Sequence, residues 1–209
     1  MNDTLLNNDE SIPSKTQKKN KIWGFIVWIA VLVALATGVF FFTRSFIVKW
    51  PIEGSSMLPT IEDEDFVIIF RTQNAHINDI IIFDTGRKYD DGGAIYNIKR
   101  VIGKEGDTLE IKRDENDSSV FHIYRNGELV DESRINSPML ASGGYYEQTV
   151  VVPEGSFYVL GDNRNFSHDS HAGFFIKKES IEGVAFIRIN PKDADGDGKI
   201  DKNNYSFLK

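Results

Sequence analysis

Ser56 sits in the run Glu53-Gly54-Ser55-Ser56-Met57-Leu58-Pro59-Thr60. Gly54 lets a backbone approach closely and Pro59 stiffens the chain, so a hydroxyl here can be held in a fixed direction. A serine in such company serves equally well as a turn or N-cap residue. What would make it a nucleophile is a base that takes its proton. The four histidines offer no obvious one. His76 and His122 lie in polar or hairpin contexts without an evident carboxylate companion, and no G-x-S-x-G elbow is present to build a Ser-His-Asp triad. Both read as surface histidines.

Lys99 is the other candidate base. It interrupts the apolar run Ile95-Tyr96-Asn97-Ile98-Lys99-Arg100-Val101-Ile102, and in a strand Lys99 and Arg100 face opposite sides, so at least one cation points inward or lies on a covered face. A buried lysine can snorkel or pair with a carboxylate. Alternatively, loss of water disfavours the ammonium, and bringing its pKa from about 10.4 to about 8 takes roughly 3 to 4 kcal/mol of desolvation. A neutral lysine is a base, and a Ser-Lys pair needs no histidine. A third segment, Leu160-Gly161-Asp162-Asn163-Arg164-Asn165-Phe166-Ser167-His168-Asp169-Ser170-His171, follows an apolar strand and reads either as an Asx-rich turn or as a functional loop.

These segments need a frame. After Pro51 the chain breaks into short β-branched and aromatic runs separated by turn residues, which predicts a mainly β domain of antiparallel sheets arranged as a barrel or sandwich. Phe66 to Phe70 and Ile80 to Phe83 read as strands covered on both faces, and Ile95 to Ile102 and Phe157 to Leu160 as strands leading into the polar segments. Phe121 to Val130 reads as a hairpin turning at Asn126-Gly127. The stretch of about 112–142 is more polar and predicts an inserted excursion rather than core.

The chain has 209 residues, 41% hydrophobic and 26% charged, which fits one folded domain with a short appendage. A net charge of −7 argues against a nucleic-acid partner, and the lack of cysteine excludes disulfides, thiolate nucleophiles and Cys-ligated zinc. Residues 22–42 carry no charge and are long enough, as a helix, to cross the roughly 30 Å hydrocarbon core. Lys15, Lys18, Lys19 and Lys21 precede this span, against Arg44 and Lys49 after it, so the tail of residues 1–21 is expected in the cytoplasm and residues 43–191 outside. Ala34-Leu35-Ala36 resembles a signal cleavage site, but the apolar run continues past it, which favours an uncleaved anchor. In the acidic tail of residues 192–209, Asp193 to Asp201 spaces carboxylates as an EF-hand loop does, with Asn204 where a bidentate acid is expected. A solvated acidic turn is the alternative.

Taken together and in order, the three polar segments resemble the type I signal peptidases. Ser56-Met57 with Pro59-Thr60 is similar to that family's nucleophile box, and Lys99-Arg100-Val101-Ile102-Gly103 with Gly106-Asp107 to its base box. Gly161-Asp162-Asn163-Arg164 with Ser167, Asp169 and Ser170 is similar to the third box. The resemblance implies a serine endopeptidase without a cofactor, most simply a monomer, that cuts signal peptides from exported preproteins after small residues at the first and third positions before the cut. It implies Ser56 as nucleophile, Lys99 as base, and Ser167 as a hydrogen-bond partner of the lysine. Asp162, Arg164 and Asp169 would be supports. The Ser56 N–H would meet the oxyanion, with Gly54, Ser55 and Met57 beside the substrate; Gly54 offers no side-chain donor of the kind some members carry. His171 stands where the family commonly has an arginine placed to pair with the aspartate two residues earlier. Phe46, Trp50, Phe174 and Phe175 are candidates for resting the domain on lipid. Two rivals share parts of this pattern: a self-cleaving repressor-type peptidase, which would bring a DNA-binding segment, and a silent chaperone relative, which would lack the nucleophile or base.

Overall fold

The computed structural model describes residues 15–191 and 204–208 and divides into two units, Met1–Arg44 and Ser45–Lys209. The acidic segment Asp193 to Asp201 and the tail of residues 1–14 lie outside the described residues.

Helix α1 (Lys15–Phe46) contains no proline or charge between Ile22 and Phe42, and Ile22–Phe46 is long and apolar enough to cross a membrane. The helix is apolar all the way round, the pattern of a segment enclosed on every side by apolar surroundings. Its hydroxyls are satisfied within the helix: Thr37 Oγ1 donates to Val33 O (2.7 Å) and Thr43 Oγ1 to Val39 O (3.0 Å).

The second unit is built from β1 (Ile47–Pro51), β2 (Phe66–Phe70), β3 (Ile80–Lys88), β4 (Ala94–Lys104), β5 (Thr108–Arg113), β6 (Val120–Arg125), β7 (Glu128–Leu129), β8 (Met139–Leu140), β9 (Gln148–Val151), β10 (Ser156–Leu160), β11 (Ile176–Lys177), β12 (Ile181–Ile189) and β13 (Tyr205–Phe207). The larger sheet has the order β1-β2-β12-β3-β4-β10-β11, with β13 also on β12; the smaller has β7-β6-β5-β9, with β8 on β6. All strand pairs are antiparallel. The arrangement is sandwich-like and not a closed barrel.

Alternation sorts the side chains. In β2, Val67 and Ile69 are fully buried and join Ile52, Met57, Ile61, Ile80, Ile82 and Ile98 in one core cluster. Ile81, Phe83, Val101, Phe157, Val159 and Ile176 form a second on the other face. The stretch 112–142 does leave the larger sheet between β4 and β10, but it is core rather than a polar excursion, being part of the smaller sheet that starts at Thr108 and ends at Val151. Leu109, Ile111, Phe121, Ile123 and Met139 bury one face of it against Ile102, Tyr158 and Leu160. Only one face is covered, so half of each strand is polar, and that lowers the apolar density of the segment. The hairpin turns at Asn126 (φ 54°) and Gly127 (φ 84°), the pair of positive angles that a tight two-residue turn requires.

At the β1-β2-β12-β13 end, the face turned away from the first cluster carries Ile47, Ile68, Phe70, Ile187, Tyr205 and Phe207, placed side by side by the register. Ile47, Phe70, Tyr205 and Phe207 are exposed. Trp50, by contrast, packs inward against Tyr96 (ring centroids 4.9 Å), and Phe174 and Phe175 pack on core clusters, so these three do not offer themselves to lipid. The reason is register: Trp50 lies opposite Val67, on the buried face of β2.

Candidate active site

The nucleophile loop follows β1 and is anchored from within. Met57 (1% exposed) and Ile61 (fully buried) plug the first core cluster, Ile61 N–H donates to Met57 O (3.0 Å), and Gly54 N–H donates to Asp63 Oδ1 (2.7 Å). Gly54 adopts φ 96°, a conformation that costs a side-chain-bearing residue dearly. Met57, expected beside the substrate, is thus a core side chain, whereas Gly54 and Ser55 are exposed. The loop is tied to the third polar segment by Asn163, whose N–H donates to Ser56 O (3.1 Å) and whose Nδ2 donates to Ser55 O (3.0 Å).

Lys99 lies in β4, flanked by residues of both core clusters, and is 4% exposed. Its Nζ is 2.7 Å from Ser56 Oγ and donates to Ile98 O at 2.9 Å. Burial pushes its pKa down to about 8, opposed by the negative charge of Asp169. Arg100 faces the other side and is also buried, but its charge is met: Nε and Nη2 fork onto the two oxygens of Asp162 at 2.8 and 2.6 Å, and Nη1 donates to Asn78 O at 2.8 Å. Both cations therefore point into the protein; one is paired with a carboxylate and the other, among the described residues, meets only a hydroxyl and a carbonyl.

The third segment leaves β10 through Gly161. An added Cβ there would stand 2.4 Å from both Ser167 Oγ and Ser56 O, so only glycine lets the strand end pass this close to the dyad. Asp162 also accepts from Thr60 Oγ1 (2.5 Å), joining all three segments. Asp169 accepts from Gly161 N–H (2.8 Å) and from His171, whose Nδ1 is 2.7 Å away. The histidine thus stands in the pairing position, stacked on Tyr145 at 4.6 Å between ring centroids. Arg164 is 1% exposed, donates to Gly161 O (3.2 Å) and lies 3.5 Å from Glu132. Ser167 Oγ is buried near the dyad but makes no hydrogen bond among the described residues, so the bond to Lys99 that the resemblance implies is not formed.

Other placements differ from the sequence reading. His122 has two carboxylate companions, Glu132 (3.0 Å) and Asp114 (3.1 Å), and the bond to Glu132 leads in raising its pKa. His76 lies 3.4 Å from Asp79. These partners sit across turns of the chain, where strand patterning gives no signal. Thr60, Asn78, Asn163 and Tyr145 were likewise not singled out for these contacts, although Asn163 and Thr60 lie inside the recognised boxes. Beside the dyad, a cleft of about 340 Å³ is lined by Trp50, Ile52, Ile82, Tyr96 and Ile98. No group of three or more potential metal ligands occurs among the described residues.

A serine hydroxyl touching a lysine amine whose pKa is lowered to about 8, in a cleft beside a β-sheet, has the parts of a hydrolase that works through an acyl-enzyme. Comparison with known proteins agrees with that class. A profile of the signal peptidase family, peptidase S26, matches residues 22–190. A probable signal peptidase I-2 of Synechocystis is 31% identical over 87% of this chain and 82% of its own length. Signal peptidase IB of Staphylococcus aureus is 30% identical over 78% of this chain and 88% of its own. A crystal structure of a signal peptidase I from Enterococcus faecalis aligns with 53% of this chain and 96% of that one at 31% identity, with a TM-score of 0.40. The chain belongs to the signal peptidase family, peptidase S26, and is a serine peptidase.

Proposed function

We propose that the chain is a membrane-anchored endopeptidase that removes signal peptides from exported preproteins, with Ser56 as nucleophile and Lys99 as general base. The observation that carries this is the 2.7 Å separation of Ser56 Oγ and a 4% exposed Lys99 Nζ whose pKa is pushed down to about 8. In its neutral form the amine accepts the Oγ proton as Oγ attacks the scissile carbonyl. The oxygen that gains charge is met by the Ser56 N–H. On collapse, Lys99 returns the proton to the leaving amine, giving the mature N-terminus and an ester on Ser56. A water then loses its proton to Lys99, attacks the ester, and releases the signal peptide as a carboxylate while Oγ is reprotonated.

The strand pairing supports a peptide substrate. β10 pairs with β4 only from Arg100 onward, so on that side the stretch from Ala94 to Lys99 has no neighbour among the described residues. An extended chain can add to that edge, main chain to main chain, and bring a peptide bond to the dyad. The modest cleft beside it suits small side chains at the first and third positions before the cut.

Ile22–Phe46 anchors the enzyme, with the lysine-rich flank inside and the catalytic unit outside. The exposed apolar face of Ile47, Phe70, Tyr205 and Phe207 rests on the lipid surface, and β1 begins one residue after the helix ends. The working unit is a monomer without cofactor. The test is cleavage of a precursor by the full chain in detergent micelles: Ser56→Ala and Lys99→Ala each lower kcat/KM by roughly a thousandfold or more. Parent-like rates in both variants would dismiss the dyad.

A further inference from the structure

A second groove, of about 480 Å³, lies on the face of β4 opposite the apolar wall of the dyad cleft, the face that Asn97 shares with the base of the Lys99 side chain. Phe83, Phe174 and Ile176 supply its apolar wall. The two faces are separated by register. Tyr96 and Ile98 belong with Ile82 and Trp50 to the face that forms the apolar wall of the dyad cleft. Asn97 lies directly opposite Phe83, and directly opposed residues in a ladder share a face. Asn97 alone lines both spaces, so they meet across the free edge of β4.

We infer that the groove walled by Phe83, Phe174 and Ile176 is a second specificity site for the same substrate strand, reading the side chains two and four positions before the cut. The inference rests on the proposed peptidase reading and follows from what an added strand must do. Its successive side chains point to opposite faces. If the first and third residues before the cut enter the dyad cleft, the second and fourth are turned to the other face, where this groove lies. The order β3-β4-β10-β11 puts Ile176 and Lys177 on the β10 side of β4, and Asn97, on the unpaired stretch, carries the groove to that edge. Arg87 and Lys177 at its rim are both exposed and outnumber Asp84, whose Oδ1 is engaged by Gly86 N–H at 2.8 Å. The groove therefore favours a side chain with an apolar stem and an acidic end over a basic one.

The test uses the full chain in detergent micelles and precursor peptides that hold alanine at the first and third positions and vary the second and fourth. In the parent, glutamate at one of these two positions is cut faster than lysine. The double variant Arg87→Glu/Lys177→Glu reverses that preference by about threefold or more, with cleavage of an all-alanine peptide within twofold of the parent. Both residues are exposed, so folding is not at stake. Phe174→Ala lowers kcat/KM about tenfold for bulky residues at these positions and not for alanine. An unchanged glutamate-to-lysine ratio in the double variant, or an equal effect at the first and third positions, overturns the inference while leaving the peptidase reading standing. If the parent shows no cleavage that Ser56→Ala abolishes, both fall together.

Discussion

At the scale of single residues, the site turns on how much charge surrounds one amine. Desolvation lowers the Lys99 pKa and Asp169 raises it, and the balance stands at about 8. Because the neutral amine is the working form, kcat/KM is expected to rise with pH and level off above an inflection near 8. Asp169→Asn removes the opposing charge while keeping an acceptor for Gly161 N–H, so the inflection moves below the parent value; a pH–rate profile that stays put or moves upward contradicts this. Lys99 was legible in the sequence because a cation in a run such as Ile98-Lys99-Arg100-Val101 must be buried on one face or the other. What became of each cation was not legible. The aspartate that neutralises Arg100 lies far along the chain, in the segment after β10, and no local pattern reports it. His122 is a nearer case: its two acidic neighbours lie eight and ten residues away across turns, at spacings that strand alternation does not report.

At the scale of elements, three loops are held by the ends of strands and by each other. Asp162 holds Arg100 and Thr60 at once, and Asn163 holds the backbone on either side of the nucleophile. Gly161 is the position where this arrangement has no slack: Gly161→Ala drives a methyl into Ser56 O and Ser167 Oγ. The expected cost is about 1 to 3 kcal/mol of stability, together with a fall in kcat larger than the change in KM, since Ser56 is displaced. Calorimetric melting and steady-state kinetics measure the two separately, and an unaffected kcat would show that the loops are looser than they look. Most strands were readable because short runs such as Phe66 to Phe70 carry β-branched and aromatic residues between turns. Of the smaller sheet only the hairpin turning at Asn126-Gly127 was readable, since Glu110, Lys112, His122 and Tyr124 on its outer face dilute the apolar signal of Ile111, Phe121 and Ile123.

At the scale of the whole molecule, the proposed function joins a lipid anchor, an apolar sheet face and an open strand edge. Replacing Phe70 and Phe207 by glutamate places charge on that face without touching the dyad. Cleavage of a membrane-inserted precursor in lipid nanodiscs should fall about tenfold or more, as the loss of surface burial for two aromatic rings would give, while cleavage of a short soluble peptide stays within twofold. Equal losses on both substrates would point to damaged folding instead. The sandwich was legible from strand spacing, but its exposed face was not, because Phe66, Ile68 and Phe70 read as buried on both sides until the register showed one side open. The unpaired stretch of β4 also bears on how a reaction cycle ends. Hydrolysis severs one covalent link, yet in the proposed binding mode the main-chain bonds that seat the residues before the cut along Ala94 to Lys99 belong to the fragment that stays behind. That fragment leaves quickly only if something withdraws it, and an apolar segment dissolving into the surrounding hydrocarbon is the natural sink. Without a bilayer, rapid-quench kinetics should then show a first equivalent of product released at the cut faster than later ones, and adding lipid should abolish the lag between them.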